Sequence, residues 1–398
     1  MATTIFRDKE KLSPRFIPER LSHREEILRR LESLFTGAAD SPELWHLRTV
    51  QLVGPSGSGK TSCVQVFGKK FEQGSSRRVN PQIRHIYVNL KLHGGSRVIL
   101  YRYLVEQIAP EIHSLSMGAE EMLTQLVKYL KEKKLFLLLS LDEIDYWLKS
   151  TKETSVLYDL ARLNEIDPSG SCNVLGVVFT ARNTEFHKYL DPAELSTLGR
   201  IPIQFRRYSS EEIADILSDR ITLAFQPTAI DDEVIKFVSN IASSPPSNGD
   251  VRYALDLLSY AGSYAEASGA DKIVPDHVRS LVEHLHPTVT EEDILNLPKL
   301  EHVLVLLSVV LALRGKKNKA YCTLKEIREE VEIVEKSHNK EGLADQLEEL
   351  LQDLSDRGIL EIRSLMEIGI NGVPLDKLHL FLDALFKRLE SSLGAKAN

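Results

Sequence analysis

The run Gly54-Pro55-Ser56-Gly57-Ser58-Gly59-Lys60-Thr61 fits G-x-x-x-x-G-K-[ST], a spacing whose chemistry is the grip of phosphate oxygens. Its glycines let backbone N–H groups converge on an anion, and a helix opening at the end of the loop adds partial positive charge. Lys60 would reach the β- and γ-phosphates of a nucleotide, and the Thr61 hydroxyl would ligate Mg²⁺. Ser62, next along the chain, is counted with the phosphate-binding set. A second constellation closes the apolar run Leu135-Phe136-Leu137-Leu138-Leu139-Ser140-Leu141 with Asp142-Glu143. At the end of a strand beside a phosphate loop, Asp142 would hold Mg²⁺ directly or through water. Glu143 would polarise an attacking water as general base.

Three further groups complete the candidate chemistry. Arg182 and Asn183 directly follow the apolar residues 173–181; a polar side chain there would touch the γ-phosphate or the lytic water, and spacing leaves both candidates open. Arg252 falls in the first turn of a helix opened by Gly249-Asp250-Val251. A cation there opposes the helix macrodipole, which points to a use beyond the helix, such as reaching nucleotide phosphates. Ile17 and Pro18, with Arg24 nearby, suit the wall of an adenine pocket.

The elements that must carry these residues alternate between strand and helix. Strands are expected at residues 49–53, 84–89, 135–141, 173–181 and 201–205, with helices between them. That pattern reads as an α/β parallel sheet with right-handed crossovers, ligands lying at the C-terminal strand ends. Ser22 with Glu25 predicts a capping box for a first helix ending near Phe35. From Ser209 the strands stop. Ser209 with Glu212, Asp231, and Pro275 mark starts in a small all-helical domain.

After a linker at 287–298, residues 299–313, 323–335 and 341–357 read as helices, with Gly358 closing the third as a C′ glycine. A strand at 359–363, a turn at 369–374 and a last helix complete a winged helix-turn-helix. The domains are therefore 1–205, 206–290 and 291–398.

Composition excludes some classes. The chain has 398 residues, 42% hydrophobic, and no apolar run near the roughly 18 residues that span a bilayer. An intracellular protein without membrane contact is expected. Cys63, Cys172 and Cys322 are too dispersed for a metal site and should pack as small apolar groups. A net charge of −7 does not advertise a nucleic-acid binder, though a local basic patch could sit within it. Residues 291–398 hold 15 Lys+Arg against 20 Asp+Glu. Their best cationic patch is Arg314, Lys316, Lys317 and Lys319.

Taken together, the motifs resemble the AAA+ superfamily, and within it the archaeal origin-recognition initiators, homologues of the eukaryotic origin recognition complex and its loading partner. Phe16-Ile17-Pro18-Glu19-Arg20-Leu21-Ser22-His23-Arg24-Glu25-Glu26 resembles the family's adenine-side entry. Residues 54–61 resemble its Walker A motif, and residues 138–145, ending Leu141-Asp142-Glu143-Ile144-Asp145, its Walker B. Gly249-Asp250-Val251-Arg252-Tyr253-Ala254-Leu255-Asp256 is similar to its sensor 2 helix.

The resemblance implies a slow ATPase with ATP/ADP and Mg²⁺ as cofactors. It implies binding to double-stranded origin DNA, recruitment or loading of the replicative helicase, other initiator subunits as partners, and a cytoplasmic, nucleoid-associated location. It also implies an insertion near residues 90–112 that touches DNA, with Arg97 and Arg102 as the residues to test. Two departures stand out. The strand end reads Ala181-Arg182-Asn183 where the family has its sensor 1 asparagine. Asp191-Pro192-Ala193 replaces an Asp-Pro-Arg whose arginine can reach a neighbour's ATP, leaving Arg200 as a substitute. A competing class is a STAND-type signalling ATPase that switches protein assembly without DNA. A clamp-loader-like ATPase fits the core but not the winged helix.

Overall fold

Two eight-residue apolar runs form the middle of a sheet because every residue in them is covered. The strands are β1 (Arg48–Val53), β2 (Gln82–Asn89), β3 (Leu135–Asp142), β4 (Val174–Ala181) and β5 (Ile203–Gln204). They pair in parallel in the order β2-β3-β4-β1-β5. All residues of β3 and β4 are buried, as a parallel sheet covered on both faces requires. The period of two divides them between layers. Leu137, Leu139, Leu141, Val177 and Phe179 enter a core with Tyr101, Leu126 and Trp147. Leu138 and Val178 face a second core with Phe35, Val64 and Phe67. The computed structural model describes residues 4–76, 82–93, 95–166, 172–199, 202–285, 289–315 and 318–394; Arg200, Lys316 and Lys317 lie outside them.

The helices of this unit are α1 (Glu25–Leu34), α2 (Lys60–Ser76), α3 (Leu90–His93), α4 (Arg97–Ile108), α5 (Ala119–Glu132), α6 (Ile144–Thr151), α7 (Ser155–Ala161) and α8 (Pro192–Leu198). A helix start with Ser22 as N-cap is expected, but the cap falls two residues later. The N-cap of α1 is Arg24, without a side-chain cap bond. His23 turns the chain with φ 63, and Arg24 bonds elsewhere, as described below.

The chain divides into two compact units, residues 17–208 and the remainder. The second contains α9 (Ser210–Ala224), α10 (Asp232–Ser243), α11 (Val251–Ala267) and α12 (Pro275–Leu285), then α13 (Glu291–Leu295) and α14 (Leu300–Arg314). Next come β6 (Tyr321–Cys322), α15 (Leu324–His338), α16 (Leu343–Asp356), β7 (Glu361–Ser364), β8 (Glu367–Gly369) and α17 (Leu375–Gly394). Ser209 and Glu212 form the expected capping box, and Gly358 follows α16 with φ +75. The order from α14 to β8 is that of a winged helix. Its first strand β6, only two residues long, pairs with β8 and escapes a periodicity reading.

Residues 4–16 group with this second unit. Phe6 stacks on Phe225 at 4.9 Å. Arg220 donates to the carbonyls of Lys11 at 3.1 Å and Phe16 at 3.0 Å. The winged helix docks on the lid, the helices α9 to α12, through Arg279 of α12, whose side chain is fully buried. It donates to the carbonyls of Ile370 and Lys319, both at 2.7 Å, and Ala320 at 3.0 Å.

Candidate functional site

The phosphate loop leaves β1 at Val53 and enters α2 at Lys60, so a single stretch supplies both its backbone and its helix N-terminus. Two glycines are required by contact, one of them by conformation as well. A Cβ on Gly54 would lie 2.4 Å from the Phe205 carbonyl oxygen. One on Gly59, where φ is +88, would lie 2.7 Å from the Tyr208 hydroxyl. Gly57 also has positive φ, at 70. Pro55, Ser56 and Ser62 complete the stretch; the Ser58 hydroxyl donates to the Pro55 carbonyl at 2.7 Å. Lys60 Nζ donates to the carbonyls of Gly54 at 2.6 Å and Pro55 at 2.8 Å. To meet phosphate oxygens its ammonium must exchange those bonds.

Arg24 lies against the phosphate loop. It is 2% exposed and stacks 3.6 Å from the Tyr208 ring centroid. Its Nε donates to the Ser58 carbonyl at 3.0 Å, and its Nη2 to the Arg206 carbonyl at 2.9 Å. The guanidinium thus braces the loop from beneath. Ile17 and Pro18 line a cavity of about 660 Å³ with Gln65, Lys69, His85 and Tyr87.

Across the sheet, Asp142 is 3% exposed. Thr61 donates to its Oδ2 at 2.8 Å, Tyr87 donates to the same oxygen at 2.6 Å, and Thr180 donates to Oδ1. Burial, then the Asp142 charge, hold the Tyr87 phenol proton on well above its usual range. Thr61 gives its proton to Asp142 and keeps its oxygen lone pairs, so the pair fits a Mg²⁺ site. Such a site takes few protein ligands and completes its octahedron with water and phosphate. Among the described residues no cluster of three or more His, Cys, Asp or Glu could hold a metal alone. Glu143 begins α6 with φ 64, and its Oε2 is buried without a hydrogen-bond partner. An unsatisfied buried carboxylate oxygen at this position suits a group that receives a water proton.

The structure separates the two residues after β4. Asn183 caps the 3₁₀ turn that follows, its side-chain oxygen accepting from Glu185 N–H at 3.0 Å. Arg182 is exposed. Arg252 is exposed in the first turn of α11, and its N–H donates to Asp250 at 2.9 Å. Tyr87, Thr180 and Tyr208 escaped the sequence reading. The available signal was a polar residue, Thr180, inside the apolar run of β4.

The expected DNA contacts fare unevenly. Arg97 spends its charge inside its own unit, on Asp159 at 3.2 Å and Glu120 at 2.5 Å. Arg102 is half-buried, with Nε lacking a hydrogen-bond partner. Arg314 pairs with Asp376 at 2.9 Å, and Lys319 pairs with Glu326. The arginine of the wing, Arg363, turns to the lid and donates to Asn240 Oδ1 at 3.0 Å. The three cysteines are buried and unbridged. Burial pushes the Cys172 thiol up to about 11 and those of Cys63 and Cys322 up to about 12.

Family models match an AAA domain over residues 48–190 and a Cdc6 AAA+ ATPase-type lid domain over residues 214–281. The chain is 30% identical to ORC1-type DNA replication protein 2 of Saccharolobus solfataricus over 388 residues, 94% of this chain and 92% of that one. It is 31% identical to ORC1-type DNA replication protein 1 of Sulfurisphaera tokodaii over 315 residues, 79% of this chain and 75% of that one. The solved structure of Cdc6p from Pyrobaculum aerophilum superposes with a TM-score of 0.80 at 26% identity, over 96% of this chain and 99% of that one. The Aeropyrum pernix ORC1 protein, solved in complex with DNA, gives a TM-score of 0.62 at 26% identity, over 98% and 100%.

Proposed function

The chain belongs to the family of ORC1-type DNA replication proteins, and on that footing we propose that it is an ATP-dependent replication initiator. It binds duplex origin DNA and helps recruit or load the replicative helicase, with ATP and ADP as the two settings of a conformational switch. The observation that carries the nucleotide part is the 2.8 Å bond from Thr61 to Asp142. It joins the phosphate loop to the acidic end of β3, residues that lie far apart in the chain.

Residues 54–62 hold the phosphates through backbone N–H groups and the α2 N-terminus. Lys60 turns from the loop carbonyls to the β- and γ-phosphates. Thr61 and Asp142 hold Mg²⁺, which when bound neutralises phosphate charge. Glu143 takes the proton of the attacking water. Arg182, exposed, and Arg252, on the first turn of α11, serve the phosphates; Ile17 and Pro18 serve the base. Hydrolysis is slow and acts as a timer. The Aeropyrum pernix ORC1 protein was solved with DNA, which supports the DNA reading. Arg97, Arg314 and Lys319 already have carboxylate partners, so duplex contact falls first to Arg102, Lys316 and Lys317. The signalling-switch alternative is not favoured by a lid that matches the Cdc6 type.

Fluorescence anisotropy of a labelled duplex across a salt series tests the DNA part. Affinity should fall steeply with salt because cations on the protein release counterions. Charge reversal at Lys316 and Lys317 should weaken binding and flatten the slope. No binding at low salt would sink the initiator reading.

A further inference from the structure

The geometry points to a hydroxyl clamp: Tyr87 of β2 and Thr180 of β4 are positioning residues that aim Asp142 from the strands on either side, and Thr180 holds Glu143 as well. This inference rests on the nucleotide reading of the phosphate loop.

Asp142 ends β3, the strand between β2 and β4. Its carboxylate has about four lone-pair sites. One hydroxyl reaches it from each side: Tyr87 donates to Oδ2 at 2.6 Å and Thr180 donates to Oδ1. Thr61 supplies the third bond, to Oδ2 at 2.8 Å. With its proton given to Asp142, Thr61 can still offer its oxygen to a metal. Neither Tyr87 nor Thr180 lies on the phosphate loop. They set the rotamer of the carboxylate before any cation arrives, which is how outer partners tune a metal ligand.

Thr180 does a second thing that Tyr87 does not. Its hydroxyl proton goes to Asp142, and its oxygen accepts the Glu143 backbone N–H at 3.2 Å. Glu143 sits in the left-handed region, φ 64 and ψ 46, a conformation that surrounding bonds must hold in place for a residue with a Cβ. One hydroxyl therefore fixes the side chain of the metal-facing residue and the backbone of the water-facing residue. Asn183, a candidate for such duty on spacing, has its side-chain oxygen on the Glu185 N–H instead. Thr180 is 1% exposed, so its hydroxyl has no solvent alternative.

The test uses the full chain with Thr180→Val, Thr180→Ser and Tyr87→Phe, and mant-ADP as the fluorescent probe. In EDTA each variant should bind mant-ADP within about twofold of the parent, since the loop backbone is untouched. The Mg²⁺ concentration that half-enhances nucleotide affinity should rise about tenfold or more in Thr180→Val and Tyr87→Phe, the scale of outer-partner losses at metal sites. At saturating Mg²⁺, single-turnover hydrolysis should drop at least about tenfold in Thr180→Val and far less in Tyr87→Phe, because Thr180 alone of the two holds Glu143. Thr180→Ser should restore both properties. Parental Mg²⁺ dependence in Thr180→Val and Tyr87→Phe overturns the clamp. If Thr180→Val does not fold, Tyr87→Phe decides the metal arm. A parent that fails to bind mant-ADP at all instead removes the nucleotide reading beneath it.

Discussion

At the scale of single residues, the site divides into groups that contact ligand and groups that brace them. Lys60 is the first kind. Lys60→Ala should abolish tight mant-ATP binding while leaving the thermal unfolding midpoint near that of the parent, because the ammonium's bonds to the Gly54 and Pro55 carbonyls lie within its own loop. Glu143→Gln should retain nucleotide binding and lose hydrolysis, which a phosphate-release assay at saturating ATP would read; normal turnover would remove Glu143 as the base. Arg24 is the second kind. Arg24→Met would leave the carbonyls of Ser58 and Arg206 without its donors and lose the stack on Tyr208. A loss of about 3 kcal/mol in urea unfolding is expected, the scale for breaking a buried charged network.

At the scale of elements, the contact between α2 and β2 reverses a familiar rule. Gly68 lies inside α2, where Gly→Ala ordinarily stabilises by about 1 kcal/mol. Here the added Cβ would fall 2.1 Å from the His85 ring, which is held by a 2.9 Å bond to Ser140. Gly68→Ala should therefore destabilise, by about 1–3 kcal/mol for overpacking, measured by urea unfolding. The same contact makes His85 a pH reporter. Burial lowers its pKa from 6.5 to about 4. Above pH 6.5 both folded and unfolded forms are neutral, and the group adds no pH dependence. As pH falls from 6.5 towards 4, the unfolded chain takes up a proton that the folded chain refuses. Stability then falls by up to about 3 kcal/mol before levelling. Comparing urea midpoints of the parent and His85→Gln from pH 7 to pH 4 isolates this share; parallel curves would show that His85 does not carry it.

At the scale of the whole molecule, the second unit holds residues 4–16, the lid helices and the winged helix together. Arg279 is its central fastener, with carbonyl partners at 319, 320 and 370 and an ion pair to Asp276 at 3.2 Å. Arg363 with Asn240 and Asn240 with Tyr321, at 3.0 and 2.9 Å, add side-chain bonds between lid and winged helix. Arg279→Met should cost about 3–5 kcal/mol in that unit. Hydrogen exchange should rise in α12 and residues 319–322 while mant-ADP affinity stays at the parental value. Unchanged exchange there would mean that the two parts hold together without it.

The local chemistry and the kind of fold were legible in order along the chain. A phosphate loop is a backbone conformation written by neighbouring glycines, so residues 54–61 announce it unaided. The apolar runs of β3 and β4 declare a sheet covered on both faces, because no other setting hides every side chain. Capping at Ser209 and the turn at Gly358 were legible for the same reason, each depending on a few adjacent residues. What a long polar side chain bonds to depends on strand register and on which elements pack together. The resemblance could place Arg97 on an insertion, but only the fold brought Asp159 against it. Spacing could set Arg24 near a base, and packing added the bond from its guanidinium to the Ser58 carbonyl. Thr180 and Tyr87 show the same limit: three strands must align their ends before two hydroxyls can meet one carboxylate.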